Sequence, residues 1–207
     1  MHWSKRRQQA IQVAQLLARN PKQARHLPRL SCTIGKSPLE TRLPWLAFDV
    51  IDWLTAVITP ATSVFEYGGG GSTAFFADRV ARVVTVESDL EWATALGKAL
   101  ESQQNVDVHF ASPDDSYREY VSLIDTFPTE SFDLVVIDGR ERVQCVEHAL
   151  PRLKEGGWVV LDDSDRERYA PACDLLREWD RREFHGLSPG KSELGHTTAW
   201  RKPNGHS

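Results

Sequence analysis

The sequence predicts an α/β domain built on a doubly wound, mostly parallel sheet of seven strands. Between residues 63 and 182, short apolar runs alternate with segments of helical periodicity. Continuous apolar runs are typical of parallel strands that are covered by helices on both faces. The last two runs, 183–187 and 196–201, are separated only by a short loop. Because this loop is too short for a helical crossover, we expect these two strands to form an antiparallel hairpin.

The predicted elements follow one another in a regular order. Apolar residues at helical spacing predict helices at 4–19 and 45–58, each ended by a following proline. Residues 20–44 contain four prolines and little periodicity, which predicts an extended connection. The chain therefore divides into a basic N-terminal helix and linker, 1–44, and a domain, 45–207. The remaining strands are expected at 63–67, 82–86, 106–110, 134–137 and 158–161, and the helices at 72–79, 89–101, 116–126, 141–153 and 170–182.

Size and composition limit the class of protein. A chain of 207 residues suits one hydrophobic core. No apolar run approaches the length of a membrane span, and the N-terminus lacks the apolar stretch of a secretory signal. The three cysteines are widely spaced and show neither a zinc nor a disulfide pattern. These features predict a cytoplasmic protein.

The net charge of -4 is unevenly distributed along the chain. Residues 1–39 carry eight Lys and Arg and no acid, so the remainder carries -12. A basic arm on an acidic body is a candidate contact for an anionic surface or a targeting segment, and a solvated helix face explains it equally. The acidic body argues against nucleic acid as a partner. Nothing in the sequence indicates an oligomeric state.

A glycine-rich turn follows the first predicted strand. Taken alone, Gly68–Gly71 is compatible with a dinucleotide, a phosphate or S-adenosylmethionine. A carboxylate just before the glycines, Glu66, suits a cationic amino-acid group. Glu87 ends the second strand 19 residues after Gly68, at the position of an acid that binds ribose hydroxyls. A P-loop is excluded because its Gly-Lys-Ser/Thr ending is missing.

Further motifs stand at the later strands: Phe-Asp-Leu-Val-Val-Ile-Asp-Gly at the fourth and Leu-Lys-Glu-Gly-Gly-Trp-Val-Val-Leu-Asp-Asp at the fifth. With Glu-x-Gly-x-Gly after the first strand, they make residues 45–201 resemble the class I S-adenosylmethionine-dependent methyltransferases. These have a Rossmann-like sheet of seven strands with one reversed. More narrowly, the chain resembles a group of bacterial methyltransferases, many of unassigned substrate, with Phe-Glu-Tyr-Gly-x-Gly-x-Ser-Thr, Val-Ile-Asp-Gly-Arg and Leu-Asp-Asp/Asn-Ser-Asp-Arg.

The resemblance implies S-adenosylmethionine as cofactor and a role for each matching residue. The backbone at Gly68 and Gly70 would meet the methionine part of the cofactor, and Glu66 would hold its ammonium group directly or through water. Glu87 would accept the ribose hydroxyls, and the residues after the third strand would approach the adenine. The predicted cofactor-binding residues are Glu66, Gly68, Gly70, Ser72, Glu87 and Ser112.

Three aspartates, Asp138, Asp162 and Asp163, are expected beyond the carboxyl ends of strands four and five, where open α/β sheets bind ligands. One hypothesis is a Mg²⁺ or Ca²⁺ site, since this spacing resembles the metal-dependent catechol-type O-methyltransferases. A second makes Asp138 or Asp163 a general base without metal. In a third, the aspartates cap helices or form ion pairs with nearby arginines, namely Arg140, Arg142, Arg166 and Arg168.

The sequence therefore predicts an S-adenosylmethionine-dependent methyltransferase that acts on an oxygen of a small-molecule or sugar-like acceptor. The basic N-terminal helix predicts an anionic or hydroxyl-rich acceptor and a contribution of that helix to the acceptor site. The alternatives are a non-catalytic binding module with this fold, an NAD-dependent oxidoreductase and, more weakly, an enzyme that modifies nucleic acid.

Overall fold

The computed structural model describes residues 11, 13–190 and 194–205. It contains one seven-stranded sheet in the order β3-β2-β1-β4-β5-β7-β6. The strands from β1 to β5 pair in parallel, whereas β7 is antiparallel to both β5 and β6. This confirms the predicted fold class and the terminal hairpin. The strands are β1 Ser63–Tyr67, β2 Arg82–Glu87, β3 Val106–Phe110, β4 Phe132–Ile137, β5 Leu153–Asp162, β6 Asp180–Gly186 and β7 Gly195–Arg201.

Helices cover both faces of this sheet. The first, α1, comprises residues 13–19 in the described part of the chain. The other α-helices are α2 Leu27–Thr33, α3 Pro38–Thr41, α4 Phe48–Val57, α5 Gly71–Ala77, α6 Leu90–Ala99, α7 Arg118–Ser122, α8 Arg142–Ala149 and α9 Ala170–Leu175. Short 3-10 helices are formed by Pro21–His26, Pro113–Asp115, Leu123–Thr126 and Glu167–Tyr169.

The central strands read as continuous apolar runs because each of their faces is buried in a different core. In β1, Phe65 and Tyr67 belong to the cluster on the side of α7 and α8. Val64 points to the opposite cluster, which also holds Phe48 of α4 and Phe75 of α5. Successive side chains of a strand face opposite sides of the sheet, so apolar residues are favoured on both faces, and the buried Glu66 is an exception in β1.

Residues 20–44 do not form the extended connection that their prolines predict. They fold into one 3-10 helix followed by α2 and α3. Pro21, Pro28 and Pro38 each stand at the first or second position of a helix. There the missing N–H of proline would have had no helical partner anyway, and its fixed φ favours the first turn. In this segment proline therefore begins helices instead of preventing them.

Two element boundaries also differ from the prediction. Strand β5 begins at Leu153, five residues before the predicted start, because Leu153 pairs with Phe132 ahead of a register shift. Gly156, with φ of +70°, lies within β5. At the other end of the domain, α9 ends at Leu175, and β6 begins at Asp180 opposite Arg201. Pairing across the sheet therefore overrides the helical pattern that continues to residue 182.

The N-terminal segment packs against α4 through its charged residues. Arg25 lies 2.5 Å from Asp49, and Arg29 lies 2.5 Å from Asp52. His26, which is buried, also contacts Asp49 at 3.0 Å. These basic residues are therefore paired with acids of the body, whereas the predicted domain boundary at residue 44 stays a prediction. Among the described residues, no helix is both long and apolar enough to cross a membrane.

Candidate active site

The glycine loop follows the end of β1, where the strand order reverses between β1 and β4. Gly68 has φ of +91°, a conformation that side chains disfavour, and a Cβ there would lie 3.0 Å from the backbone of Gly139 after β4. Its N–H donates to Val86 of β2 at 2.9 Å. The loop is thereby held against the ends of three strands. In open α/β sheets such a reversal creates the crevice that binds ligands.

Glu66 lies beneath the loop and is fully buried. One of its oxygens accepts a hydrogen bond from the Thr73 hydroxyl, which in turn accepts from the N–H of Gly70 at 2.9 Å. Burial raises the pKa of Glu66 from 4.5 to about 7, against the opposing effect of the neighbouring hydroxyls. Within the described residues, its other oxygen has no hydrogen-bond partner. Glu66 thus supports the loop from below, and its predicted contact with the cofactor ammonium stays a prediction.

Glu87 occupies the end of β2 and turns its carboxylate towards the loop. It accepts hydrogen bonds from the backbone N–H groups of Gly69 at 3.1 Å and Ser88 at 2.7 Å. These bonds fix the orientation of a side chain that remains only half-buried. A fixed carboxylate at this place is suited to accept hydrogen bonds from ligand hydroxyl groups.

A cavity of about 390 Å³ opens above these residues. This volume lies within the usual range for small-molecule sites. Gly70 lines the cavity, and a Cβ on it would meet only the ring of Trp92, at 3.7 Å, so the space above this glycine is open to a ligand. The lining comprises Pro38, Trp45, Gly68–Ser72, Glu87–Asp89, Trp92, Asp138–Arg140 and Arg142.

Two tryptophans form walls of this cavity. The Nε1 of Trp92 donates to the carbonyl of Gly69 at 2.8 Å, which fixes the ring beside the loop. Trp45 also lines the cavity, and Gly190 packs against its ring. Trp92 was missed by the sequence reasoning, since in a helical pattern an apolar residue looks like a core residue. The α1 helix, predicted to build the acceptor site, does not line this cavity within its described residues.

The structure brings together five of the predicted site residues. Gly68, Gly70, Ser72, Glu87 and Asp138 all line the cavity.

Ser112 does not join them. Its hydroxyl accepts a hydrogen bond from the N–H of Asp114 at 3.2 Å and caps a 3-10 turn. Its side chain therefore serves the local turn and is not among the residues that line the cavity, and its contact with the adenine stays a prediction.

The three aspartates are organised by Arg142, which is buried at the start of α8. Its guanidinium lies 2.9 Å from Asp138 and 3.6 Å from Asp163, and it also donates to the backbone carbonyl of Asp162. Asp163 is paired in addition with Arg166 at 2.8 Å. Asp162 is buried, and its carboxylate accepts from the Thr197 hydroxyl of β7 at 2.7 Å. The ion-pair hypothesis is thus confirmed for Arg142 and Arg166.

This arrangement does not support the metal prediction for Asp138, Asp162 and Asp163. In the described part of the chain, only His26, Asp49 and Asp52 bring three potential ligand atoms within 4.8 Å of one another, and two of these acids are already paired with arginines. A guanidinium stands among the predicted ligands, and Asp162 is turned towards β7. Because cations repel one another, the structure gives no support to Mg²⁺ at this place.

Comparisons with known proteins agree with this geometry. Residues 65–164 match the family model described as Methyltransferase domain. No curated protein matches the sequence significantly.

Among solved structures, an rRNA methylase from Streptococcus thermophilus aligns with a TM-score of 0.57 at 16% identity, covering 74% of this chain and 95% of its own. An O-methyltransferase from Bacillus cereus in complex with SAH gives 0.57 at 22% identity, with 72% and 78% covered. The N-methyltransferase NodS from Bradyrhizobium japonicum, also with SAH, gives 0.51 at 16% identity, with 75% and 85% covered.

At these identities the structural neighbours establish the fold, while the family model covers the segment from β1 to the end of β5. That segment carries the glycine loop, Glu87 and Asp138. The matched segment is accordingly a methyltransferase domain, and the chain has the fold of the class I S-adenosylmethionine-dependent methyltransferases.

Proposed function

We propose that the protein methylates a hydroxyl oxygen of a small-molecule acceptor in the cavity between the glycine loop and the end of β4. The observation that carries this proposal is that Glu87, the last residue of β2, and Asp138, the residue after β4, line the same cavity together with the glycine loop. The three cysteines of the chain are free, which supports the cytoplasmic location predicted from the sequence.

The cavity residues fit S-adenosylmethionine. The open side of Gly70 leaves room for the methionine part beside the loop. The Glu87 carboxylate, already oriented by two backbone N–H groups, would hold the ribose hydroxyls, and Trp92 offers an aromatic wall to the same ligand. When bound, the cofactor supplies a methyl group on an electrophilic sulfonium and is left as S-adenosylhomocysteine.

Asp138 is the residue that we assign to the acceptor. Its side chain is 32% exposed and stands on the cavity wall, so a hydroxyl in the cavity can donate to it. The carboxylate would orient the acceptor oxygen and take its proton as the oxygen–methyl bond forms. Asp163 is the weaker candidate, because two arginines engage it and it is not among the residues that line the cavity.

The cavity has an apolar wall. Trp45 lines it, and Gly190 of the loop after β6 lies beside the Trp45 ring. An apolar wall of this kind would favour transfer to the bound acceptor, since it leaves less room for competing water.

Cofactor binding is tested first, by calorimetric titration with S-adenosylmethionine. We expect Glu87→Gln to weaken binding by at least about tenfold, which is the loss of roughly one charged hydrogen-bonding group. The control is Glu91→Gln, an exposed acid four residues further on that does not line the cavity. Equal affinity in both variants would contradict the role of Glu87.

Transfer is tested with cofactor that carries a trideuterated methyl group and with matched acceptor pairs that differ only in a hydroxyl or an amino group. Mass spectrometry then locates the label on oxygen or on nitrogen. We expect Asp138→Asn to lower turnover about 100-fold or more with unchanged cofactor affinity. Asp163→Asn, which removes the other carboxylate partner of Arg142, should have a much smaller effect. Labelled nitrogen, or equal losses in both variants, would refute this assignment.

A further inference from the structure

A second cavity adjoins the first at the carboxyl ends of β4 and β5. It has a volume of about 530 Å³ and lies between the start of α8 and the segment that follows β5. Gly139, Arg140 and Arg142 line both cavities, so the two share a wall. A ligand that occupies the second cavity therefore lies directly beside the place that we assign to methyl transfer.

Four arginines line this second cavity: Arg140, Arg142, Arg166 and Arg168. Arg140 is the arginine of the Val-Ile-Asp-Gly-Arg motif, and Arg166 is that of the Leu-Asp-Asp-Ser-Asp-Arg motif. Neither arginine is needed to explain how the cofactor is bound. Since arginine presents several N–H donors in a planar fork, a group of them is suited to carboxylate, sulfate or phosphate.

The acids nearby neutralise only part of this charge. Arg142 is paired with Asp138, and Arg166 with Asp163. Glu141 is the one acid on the wall of the cavity itself, so four guanidinium groups face three carboxylates.

Arg140 and Arg168 stand apart from these pairs. No carboxylate of the residues that the structure describes lies within 4.0 Å of either guanidinium. Of the acids on the segment after β5, Asp165 lies 3.9 Å from His196, and neither Asp165 nor Glu167 is on the cavity wall. Two guanidinium groups are therefore left to a ligand.

Packing against Tyr169 holds two of the four arginines at the cavity. The guanidinium of Arg168 lies 4.7 Å from the ring centre of Tyr169, and that of Arg142 lies 5.1 Å from it. Tyr169 itself is buried, so it is a fixed platform. The first turn of α8 also lines the cavity, and Glu141, the residue just before this helix, makes no side-chain cap bond. Free N–H groups at a helix N-terminus add partial positive charge.

We propose that this arginine-lined cavity binds an anionic oxygen group of the methyl acceptor, as a carboxylate, sulfate or phosphate. The inference rests on the proposed function, because it treats the shared wall as the boundary between the reacting hydroxyl and the anionic group. The acceptor is then a small molecule that carries both a hydroxyl and an anion. This places the charge of the acceptor against β4 and β5, at a distance from the basic N-terminal segment.

The test is a nuclear magnetic resonance titration of the arginine side-chain N–H signals. Sodium sulfate, sodium phosphate and sodium acetate are added separately at an ionic strength held constant with sodium chloride. The wild type is compared with Arg168→Gln and with the double variant Arg140→Gln/Arg168→Gln. The control is Arg177→Gln, whose side chain is 73% exposed and paired with Glu178 outside the cavity.

We expect the wild type and Arg177→Gln to bind at least one of the three anions alike. The double variant should bind it at least about tenfold more weakly, since it loses two charge-assisted donors. The anion that binds most tightly identifies the group on the acceptor. Equal affinity in the wild type and the double variant, or no shift of the arginine signals with any anion, would overturn the inference. A wild type that binds the anion but not S-adenosylmethionine would instead refute the proposed function alone.

Discussion

Replacing Glu66 by glutamine removes a carboxyl group from the interior while leaving its shape almost unchanged. Glu66 is fully buried, and its pKa is raised from 4.5 to about 7. The folded protein therefore holds the proton more tightly than the unfolded chain does. Below pH 4.5 both states are protonated, and the residue adds no pH dependence. Between pH 4.5 and 7 the unfolded chain ionises first, so stability falls as pH rises.

The size of this effect follows from the difference between the two pKa values. From 4.5 to about 7, it corresponds to about 3 kcal/mol, fully developed above pH 7. Glutamine does not titrate, so the free energy of unfolding of the Glu66→Gln variant lacks this loss. Relative to the wild type, the variant should gain roughly 2–3 kcal/mol between pH 5 and pH 8. For a chain of this length, that gain raises Tm by about 4–12 °C.

The assay is urea unfolding of both proteins at several pH values from 5 to 8. At each pH, the unfolding free energy of the wild type is subtracted from that of the variant. The quantity of interest is how this difference changes with pH. This difference cancels the contributions of other acids and also the constant effect of the amide on its neighbours. Glu101→Gln, an exposed acid, is the control. A difference for Glu66→Gln that stays constant with pH would refute the argument that burial keeps this carboxyl neutral.

Four further predictions concern the site. If Glu66 holds the cofactor ammonium, binding lowers the pKa of Glu66 and a proton is released at pH 7. Calorimetry in buffers of different ionisation enthalpy should detect this release, and a binding enthalpy that is the same in all buffers would contradict the role. Gly68→Ala should lower stability by about 1–3 kcal/mol because φ is +91°. Gly70→Ala should leave unfolding within about 0.5 kcal/mol but weaken cofactor binding, as its Cβ enters the cavity. Arg142→Met should destabilise by about 3 kcal/mol because two carboxylates lose a buried partner, whereas Arg166→Gln, at an exposed pair, should change unfolding by less than 1 kcal/mol.

Much of the sheet could be predicted because its signals are local. Apolar runs with helices between them indicate parallel strands, and the short loop before β7 indicates a reversal. The first residues of β5 and β6 could not be predicted in this way, because they depend on pairing with distant residues. Leu153 of β5 pairs with Phe132, and Asp180 of β6 pairs with Arg201. A local pattern does not show whether a distant strand will offer its free hydrogen-bonding groups.

The loop side of the cavity could be located from the sequence more readily than its walls. The glycine loop and Glu87 stand at fixed places relative to strand ends, so spacing along the chain is informative. Trp92 and Trp45 reach the cavity from α6 and from the segment before α4. Their direction depends on how these elements pack, and Trp92 is fixed by a hydrogen bond to Gly69.

The prolines of residues 20–44 were misinterpreted because proline is found both after the end of a helix and at its beginning.

The aspartates show how one residue can reverse the meaning of a motif. Acids after two neighbouring strands suggest a cation, and the structure supplies a cation in the form of Arg142, four residues after Asp138. Asp138 follows the end of β4 and Arg142 begins α8, and the turn between them brings the two side chains to 2.9 Å from each other. Arg142 lies between Asp138 and Asp163 and pairs with both carboxylates. Arg140 and Arg168 of the same cavity wall therefore have no carboxylate partner among the described residues. The arrangement that argues against a metal ion at the acceptor site therefore also argues for an anion there.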